Sequence, residues 1–279
     1  MDTRKFVLHN GVVVPHPGFG TCKIQEGEVC NTVLRALEAG YRHFDTASLY
    51  GSEEGLGEAL RKSGIARGDV FIASKVWNTD RGYERTKAAF AASLERLGLE
   101  YLDLYMIHWP ANRKQFGDRA EAINAETWRA LEDLYEEGRV RAIGVSNFLP
   151  HHLEDLMKTA RIRPMVNQIE CHPGWPQLEV LAYCREHGIV VEAWSPLGRR
   201  AVLDNPVIQE TAQRTGMTTA QVCFAWLRGH GVLALPKASD PSRMKENLRE
   251  EGTLDEKDMK AIDALEPMWL CSDPDTVDF

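Results

Sequence analysis

The sequence predicts an α/β protein, a closed (β/α)8 barrel (TIM barrel) with an N-terminal β-hairpin and two extra helices. Eight short apolar runs alternate with stretches of helical periodicity, and glycine ends five of those stretches. Alternating strands and helices form a parallel sheet with right-handed crossovers, and eight such units close a barrel. The predicted strands are 18–21, 42–45, 70–75, 102–107, 139–145, 165–169, 189–194 and 232–235.

The N-terminal hairpin is predicted from two apolar runs, Phe6-Val7-Leu8 and Val12-Val13-Val14, on either side of His9-Asn10-Gly11. Asn-Gly tolerates the positive φ that a tight hairpin turn requires. The hairpin would therefore precede the first barrel strand.

The predicted helices carry an apolar stripe, as in Phe90, Leu94 and Leu97, and end at glycines that can adopt the left-handed conformation. These glycines are Gly40, Gly64, Gly98, Gly138 and Gly188. The two extra helices are predicted over 204–215 and 255–265. Since no linker or charge run divides the chain, residues 1–279 are predicted to form one domain.

Composition excludes several classes of protein. The 279 residues are 43% hydrophobic and 27% charged, which is typical of a globular protein. A net charge of −8 disfavours a nucleic-acid or anionic-membrane partner, and no apolar run is long enough to span a bilayer. Six cysteines without a C-x-x-C pair favour reduced thiols. We therefore expect a cytoplasmic monomer.

Function in such a barrel lies at the C-terminal ends of the strands, which carry the βα loops. Each predicted strand has a polar residue at or just beyond that end. They are Thr21, Asp45, Lys75, His108, Asn147, Gln168, Ser195 and Lys237.

Four residues at this rim suit proton chemistry: Asp45, Tyr50, Lys75 and His108. A free tyrosine has a pKa of about 10, and a nearby ammonium favours the phenolate and lowers that pKa. Asp45 would hold Lys75 charged, so the trio suits a general acid, and His108 would orient a carbonyl oxygen. From the residues alone, a core histidine, a structural ion pair and a packing tyrosine remain open alternatives.

Around these residues the sequence resembles the aldo-keto reductases. The motifs are Gly40-Tyr-Arg-His-Phe-Asp45 to Glu53, Ser74-Lys75-Val-Trp77-Asn78, and Leu104 to Pro110 with His108. Further motifs occur in the family's order at 143–148, 166–173, 194–197 and 235–247, and together they cover nearly the whole chain. The short loops and the ending Asp273-Pro-Asp-Thr-Val-Asp-Phe279 are similar to the small microbial branch.

The resemblance implies reduction of aldehydes and ketones, dicarbonyls included, with hydride from NADPH. Tyr50 would donate the proton, Lys75 with Asp45 would lower its pKa, and His108 would orient the substrate carbonyl. The chain lacks the Rossmann G-x-G-x-x-G fingerprint, so the cofactor NADP(H) would bind at the barrel mouth.

The resemblance also implies the cofactor contacts. Ser146, Asn147 and Gln168 would bind the carboxamide, and Trp194 would stack on the ring. Lys237 and Arg243 would hold the adenosine 2′-phosphate, which favours NADPH over NADH. The other cofactor positions are Thr21, Asp45, the pyrophosphate-lining Ser195, Pro196, Leu197 and Gly198, and then Ala238, Ser239, Glu246 and Asn247.

Four positions depart from the family pattern. Ala238 stands where many relatives carry serine, which removes one phosphate hydrogen bond. Arg199 and Arg200 lie in a loop that is often glycine-rich, and we expect one of them to reinforce pyrophosphate binding. Cys22 replaces an aromatic residue and widens a substrate pocket otherwise formed by Trp77, His108 and Trp109, which suits an apolar or aromatic carbonyl compound.

Two other classes of function fit the sequence less well. A metal-dependent barrel hydrolase needs imidazole and carboxylate ligands at strand ends, but only His108 and His172 of nine histidines lie there. No metal site is therefore expected. A non-catalytic NADPH-binding sensor or interaction module is disfavoured because all four tetrad residues are present.

Overall fold

The computed structural model describes residues 6–249 and 252–279. Two short strands form an antiparallel hairpin, β1 (Phe6–Val7) and β2 (Val13–Val14). Eight strands form one parallel sheet. They are β3 (Phe19–Gly20), β4 (His43–Asp45), β5 (Phe71–Val76), β6 (Leu104–Ile107), β7 (Ile143–Ser146), β8 (Val166–Glu170), β9 (Val190–Trp194) and β10 (Val232–Leu235).

Helices alternate with the strands of this sheet. They are α1 (Val29–Ala39), α2 (Glu53–Ser63), α3 (Tyr83–Leu97), α4 (Arg113–Phe116), α5 (Ala120–Glu136), α6 (Pro150–Met157), α7 (Leu178–Glu186), α8 (Pro206–Thr215), α9 (Thr219–Gly229), α10 (Pro241–Asn247) and α11 (Glu256–Asp263). The five glycines predicted to end helices have φ between 64° and 117°, which confirms that reading.

The sheet closes on itself. Each strand from β3 to β10 pairs in parallel with the next. Gly18 N donates to Ala234 O and Gly20 N to Pro236 O, each at 3.0 Å, so the first strand also bonds to the last. A Cβ on Gly18 would lie 2.4 Å from Leu235 Cδ2, so a larger residue here would require the Leu235 and His43 side chains to move. The predicted (β/α)8 barrel is confirmed.

Strand boundaries differ from prediction where polar side chains interrupt pairing. The run 102–107 begins its ladder only at Leu104, because the Asp103 carboxylate accepts from Ile72 N at 2.9 Å and pairs with Arg67 and Arg141. The run 139–145 enters its ladder at Ile143, after a single parallel bridge between Val140 and Leu102.

Both extra helices are present, as α8 and α11, and each begins at a side-chain cap. Asn205 Oδ1 accepts from Val207 N at 2.9 Å, and Asp255 Oδ1 accepts from Asp258 N at 2.8 Å. Helix α10 was not predicted, although Asp240 caps it and Pro241 follows in the first turn.

The hairpin covers the N-terminal end of the barrel. Asn10 Nδ2 donates to Arg141 O at 2.9 Å, just before β7, and Gly11 has a φ of 88° in the turn. Leu8 and Val14, both in the hairpin, are buried. Because this end is closed, the open rim of the barrel is the end from which the βα loops emerge.

Candidate active site

Asp45 and Lys75 form a buried ion pair on neighbouring strands. Asp45 ends β4 and Lys75 lies near the end of β5. Lys75 Nζ lies 2.6 Å from Asp45 Oδ1 and 2.8 Å from Oδ2, and it donates also to Thr46 O at 2.9 Å. Three acceptors match the three hydrogens of an ammonium group, so the buried charge is fully hydrogen-bonded.

Tyr50 and His108 complete the group. The Tyr50 hydroxyl lies 3.4 Å from His108 Nε2, and Lys75 Nζ lies 5.0 Å from the centroid of the Tyr50 ring. Tyr50 comes from the loop after β4. The parallel strand ends bring it close to Lys75 near the end of β5 and to His108 just after β6. The four residues singled out from the sequence are therefore brought together.

The pKa of Tyr50 corrects one expectation. Burial raises it well above the usual value, and Asp45, Cys22 and Cys271 act in the same direction. The predicted lowering of the Tyr50 pKa is therefore not seen in this structure, because burial of the phenol is the largest influence on it. The phenol is therefore protonated and able to donate.

His108 is neutral at physiological pH. Burial, followed by the charges of Lys75 and Arg81, holds its pKa well below the usual value. Its Nδ1 is buried with no hydrogen-bond partner in the described part of the chain. A neutral imidazole has one N–H to donate, and Nε2 is the nitrogen that faces Tyr50.

The residues expected to contact the carboxamide form one connected cluster. Asn147 Nδ2 donates to His108 O at 2.9 Å, and Trp194 Nε1 donates to Asn147 Oδ1 at 2.9 Å. Ser146 Oγ donates to Gln168 O at 2.7 Å. Asn147 follows β7 with a φ of 62°, a left-handed conformation that Asn tolerates better than most residues. The indole of Trp194 is thus held in a fixed orientation beside the proton-handling group.

Gln168 links this cluster to two carboxyl groups. Its Nε2 donates to Asp45 Oδ1 and to Glu192 Oε2, both at 2.9 Å. Glu192 lies within β9 and is fully buried, and the sequence analysis missed it. The available signal was one carboxylate inside an otherwise apolar strand, which indicates a partnered group in the barrel interior.

The loop after β9 makes two successive tight turns. Gly198 N donates to Ser195 O at 2.8 Å and Arg200 N to Leu197 O at 2.7 Å. Ser195, Arg199 and Arg200 all have positive φ, between 50° and 78°. Such backbone strain collects where a loop must present its amides to a ligand. Pro196 is buried and Leu197 half-buried, so they anchor the loop.

Four cations lie exposed near these loops: Arg199, Arg200, Lys237 and Arg243. None of them pairs with a carboxylate within residues 6–249 and 252–279. They are therefore available to anionic groups of a ligand.

The remaining cofactor positions differ in exposure. Thr21 is fully buried, and its Oγ1 donates to Asp45 O at 2.9 Å, so it holds the backbone at the end of β4 in place. Ala238 and Asn247 are buried, Glu246 is half-buried and Ser239 is exposed.

Aromatic rings form a wall beside His108. The Trp77 ring meets the His108 ring at a centroid distance of 5.0 Å, and Trp109 is nearly buried. Phe279 also contacts both tryptophans and was missed in the sequence analysis, because no local pattern predicts where a tail packs. Cys22 is exposed at the end of β3.

One cluster of possible metal ligands occurs in the described residues: His151, His152 and Asp275. Leu149 N donates to His152 Nδ1 at 3.2 Å, so the proton of the neutral ring is on Nε2, which lies 3.1 Å from Asp275 Oδ1. The cluster is therefore explained by hydrogen bonding.

His172 is fully bonded as well. It uses both nitrogens within the protein, on Pro173 O at 2.8 Å and Glu170 Oε1 at 3.2 Å. Both strand-end histidines thus have protein neighbours, since His108 faces Tyr50 and His172 contacts Glu170.

All six cysteines are free thiols.

Of the helices that the structure describes, none combines the length and the apolar character that crossing a bilayer requires.

A closed barrel whose rim brings together a phenol, an imidazole and a buried lysine–aspartate pair is the architecture of a barrel oxidoreductase. A model of the family described as the Aldo/keto reductase family matches residues 17–267, and the chain belongs to that family. The resemblance drawn from the motifs is thereby confirmed. Carbonyl reduction is the general activity that this membership supports.

Several relatives are similar over nearly the whole chain. A glyoxal reductase of Bacillus subtilis is 49% identical, covering 95% of this chain and 92% of that protein. A 9,11-endoperoxide prostaglandin H2 reductase of Trypanosoma cruzi is 47% identical, over 96% of this chain and 94% of its own length. A Bombyx mori aldo-keto reductase solved in complex with NADP superposes with a TM-score of 0.85 at 30% identity, covering 93% of this chain and 91% of that one.

Proposed function

We propose that this protein reduces aldehydes and ketones to alcohols with NADPH, and that Tyr50 donates the proton. The observation that carries the proposal is the position of the Tyr50 hydroxyl, 3.4 Å from His108 Nε2 and beside the buried Lys75–Asp45 pair. A carbonyl oxygen placed between the phenol and the imidazole would meet two donors at once.

The described residues fit a nicotinamide dinucleotide phosphate. Gln168 Oε1 accepts no hydrogen bond from the described residues, and the Trp194 indole is fixed by Asn147. The strained turns after β9 suit phosphate groups, as do Lys237 and Arg243, which pair with no carboxylate among the described residues. When bound, NADPH supplies a hydride to the carbonyl carbon.

The residues of the chain then have separable roles. Tyr50 transfers its hydroxyl proton to the carbonyl oxygen as negative charge develops there. The Lys75 ammonium, 5.0 Å from the phenol ring, favours the phenolate that proton loss leaves behind. Asp45 keeps Lys75 charged and fixed, and neutral His108 orients the same carbonyl oxygen through Nε2.

Preference for NADPH over NADH is supported by Lys237 and Arg243. Both are exposed at the end of β10 and the start of α10, where two cations can bind the 2′-phosphate dianion. Ala238 offers no hydroxyl to that phosphate, so the preference rests on the two charged side chains.

The aromatic wall of Trp77, Trp109 and Phe279 favours a carbonyl compound with an apolar or aromatic portion. The Bacillus subtilis relative named glyoxal reductase supports small dicarbonyls as a second substrate class. We propose both classes, with a monomer as the acting form.

The test is consumption of reduced dinucleotide by the wild-type protein. NADPH and NADH are each compared with benzaldehyde, with glyoxal and with no carbonyl compound. The proposal predicts carbonyl-dependent oxidation that is faster with NADPH. Tight NADPH binding without oxidation by either compound would contradict it and favour a non-catalytic NADPH-binding module.

A further inference from the structure

A carboxyl group that the reduction does not use lies inside the barrel. Glu192 on β9 is fully buried. Its Oε2 accepts from Gln168 Nε2 at 2.9 Å, whereas Oε1 has no hydrogen-bond partner among the described residues. A buried carboxyl is retained at this depth only if its interactions offset the cost of burial.

Glu192 and Asp45 together fix the orientation of the Gln168 amide. An amide nitrogen has two hydrogens, and Gln168 Nε2 directs them at Asp45 Oδ1 and Glu192 Oε2. The flipped amide would place its carbonyl oxygen against both carboxyl groups at about the same distance. Repulsion between acceptors therefore disfavours the flip.

The fixed orientation leaves Gln168 with one free group, its Oε1. No donor within the described residues reaches this oxygen, and Ser146 and Asn147 bond to the backbone oxygen of Gln168 instead. An unpaired acceptor at this position is suited to an N–H of a ligand, such as the amide N–H of a carboxamide.

We propose that Glu192 is a positioning residue: by holding Gln168 Nε2, it keeps Gln168 Oε1 turned toward the cofactor and selects a pyridine ring that carries an amide over one that carries only an acetyl group. The inference rests on the proposed function, since it requires that Gln168 contact the carboxamide.

The surroundings of Glu192 keep this contact in place in either protonation state. The charged and titratable groups that face it are His43, Asp45 and Lys75. His43 Nδ1 bonds to Pro15 O at 3.2 Å, and its Nε2 faces Glu192 Oε1 at 4.0 Å. Burial raises the pKa of Glu192 to about 7 and lowers that of His43 to about 4. A proton on Oε1 would face the His43 Nε2 lone pair and leave Oε2 to accept from Gln168.

Two substitutions of Glu192 with similar side-chain volume distinguish the effect of losing the hydrogen-bond acceptor from the effect of losing side-chain bulk. Glu192→Gln retains an oxygen that accepts from Gln168, whereas Glu192→Met removes it. Dissociation constants are measured by quenching of tryptophan fluorescence, for NADPH and for the reduced 3-acetylpyridine analogue, in which a methyl group replaces the amide nitrogen.

Wild type and Glu192→Gln should prefer NADPH over the analogue to the same extent. Glu192→Met should bind NADPH about tenfold more weakly and the analogue as before, the loss expected for one hydrogen bond. An unchanged preference in folded Glu192→Met would overturn the inference. So would an unchanged preference in Gln168→Met, which is decisive even if Glu192→Met does not fold.

The outcome for the wild type separates this inference from the proposed function. If the wild type binds NADPH and oxidises it with carbonyl compounds but Glu192→Met keeps the full preference, only the role of Glu192 fails. If the wild type binds neither dinucleotide, the proposed function fails and the inference fails with it.

Discussion

Phe279 stacks on Trp77, with 5.6 Å between the ring centroids and 16° between the ring planes. The same ring meets Trp109 edge-on at 5.4 Å, and Asn78 Nδ2 donates to Phe279 O at 3.0 Å. Trp77 in turn contacts His108. A residue of the tail is thus part of the wall that faces the proposed substrate.

Replacing Phe279 should discriminate between substrates. Phe279→Ala removes the stacked ring, so the KM for benzaldehyde should rise about 3- to 10-fold while the KM for glyoxal changes little. Phe279→Leu, which keeps apolar bulk, should show a smaller effect. Equal rises for both aldehydes would show that the ring acts on the site as a whole and not on the aromatic substrate.

Removing the carboxylate of Asp45 should destabilise the fold. Asp45→Asn leaves the Lys75 ammonium buried without its counter-ion, and the expected loss is about 3–5 kcal/mol in the free energy of unfolding. Urea denaturation measures it. The matched control is Glu256→Gln, because Glu256 pairs with Lys260 at 2.6 Å on the surface and should matter far less. Equal midpoints for the two variants would contradict a role for this buried pair in stability.

Stability should depend on pH through Glu192. Burial raises its pKa from 4.5 to about 7, so the folded state binds this proton more tightly than the unfolded state. The contribution of protonated Glu192 to the free energy of unfolding is therefore fully present below the unfolded-state pKa. It is lost as pH rises through 7, and the total loss is about 3 kcal/mol.

Glu192→Gln provides the comparison for this pH dependence, because it removes the titration and keeps the hydrogen-bond acceptor. The free energy of unfolding of wild type, minus that of Glu192→Gln, should fall between pH 5 and pH 8. His43, whose pKa is lowered to about 4, titrates in both proteins and largely cancels. A difference that does not change with pH would contradict the raised pKa of Glu192 in the folded state.

Dinucleotide preference should depend on the two cations near β10. In Lys237→Ala and Arg243→Ala, the dissociation constant for NADPH should rise about tenfold or more while that for NADH is unchanged, because only NADPH carries the 2′-phosphate. Lys245→Ala on the same helix is the control. If NADH binding weakens as much as NADPH binding, Lys237 and Arg243 do not bind the 2′-phosphate.

The loop arginines are tested in the same assay. Arg199→Ala or Arg200→Ala should weaken binding of both dinucleotides alike, because both carry the pyrophosphate. If neither substitution changes either constant, the hypothesis that one of them reinforces pyrophosphate binding is wrong.

Much of the architecture could be predicted because it follows from local patterns. Glycines at helix ends and short apolar runs mark each unit of the barrel. Once the strands are parallel, their C-terminal ends must meet at one rim, so the proximity of Asp45, Lys75 and His108 follows from chain order.

What was missed depends on tertiary contacts. Glu192 lies in the middle of a strand, and only the closed barrel reveals that it meets Gln168. Phe279 contacts Trp77 across some 200 residues of chain, which no periodicity encodes. The Tyr50 pKa is raised where the sequence predicted a lowering, because burial of the phenol is a property of the folded site.

Tyr50→Phe is the decisive test of Tyr50 as the proton donor. The substitution removes one oxygen and leaves the ring, the Lys75–Asp45 pair and the cofactor residues in place. Steady-state oxidation of NADPH with benzaldehyde is measured beside the NADPH dissociation constant. We expect turnover to fall by about 10²- to 10⁴-fold, the usual contribution of a general acid, while NADPH binding stays within about twofold. Turnover equal to that of the wild type would contradict Tyr50 as the proton donor.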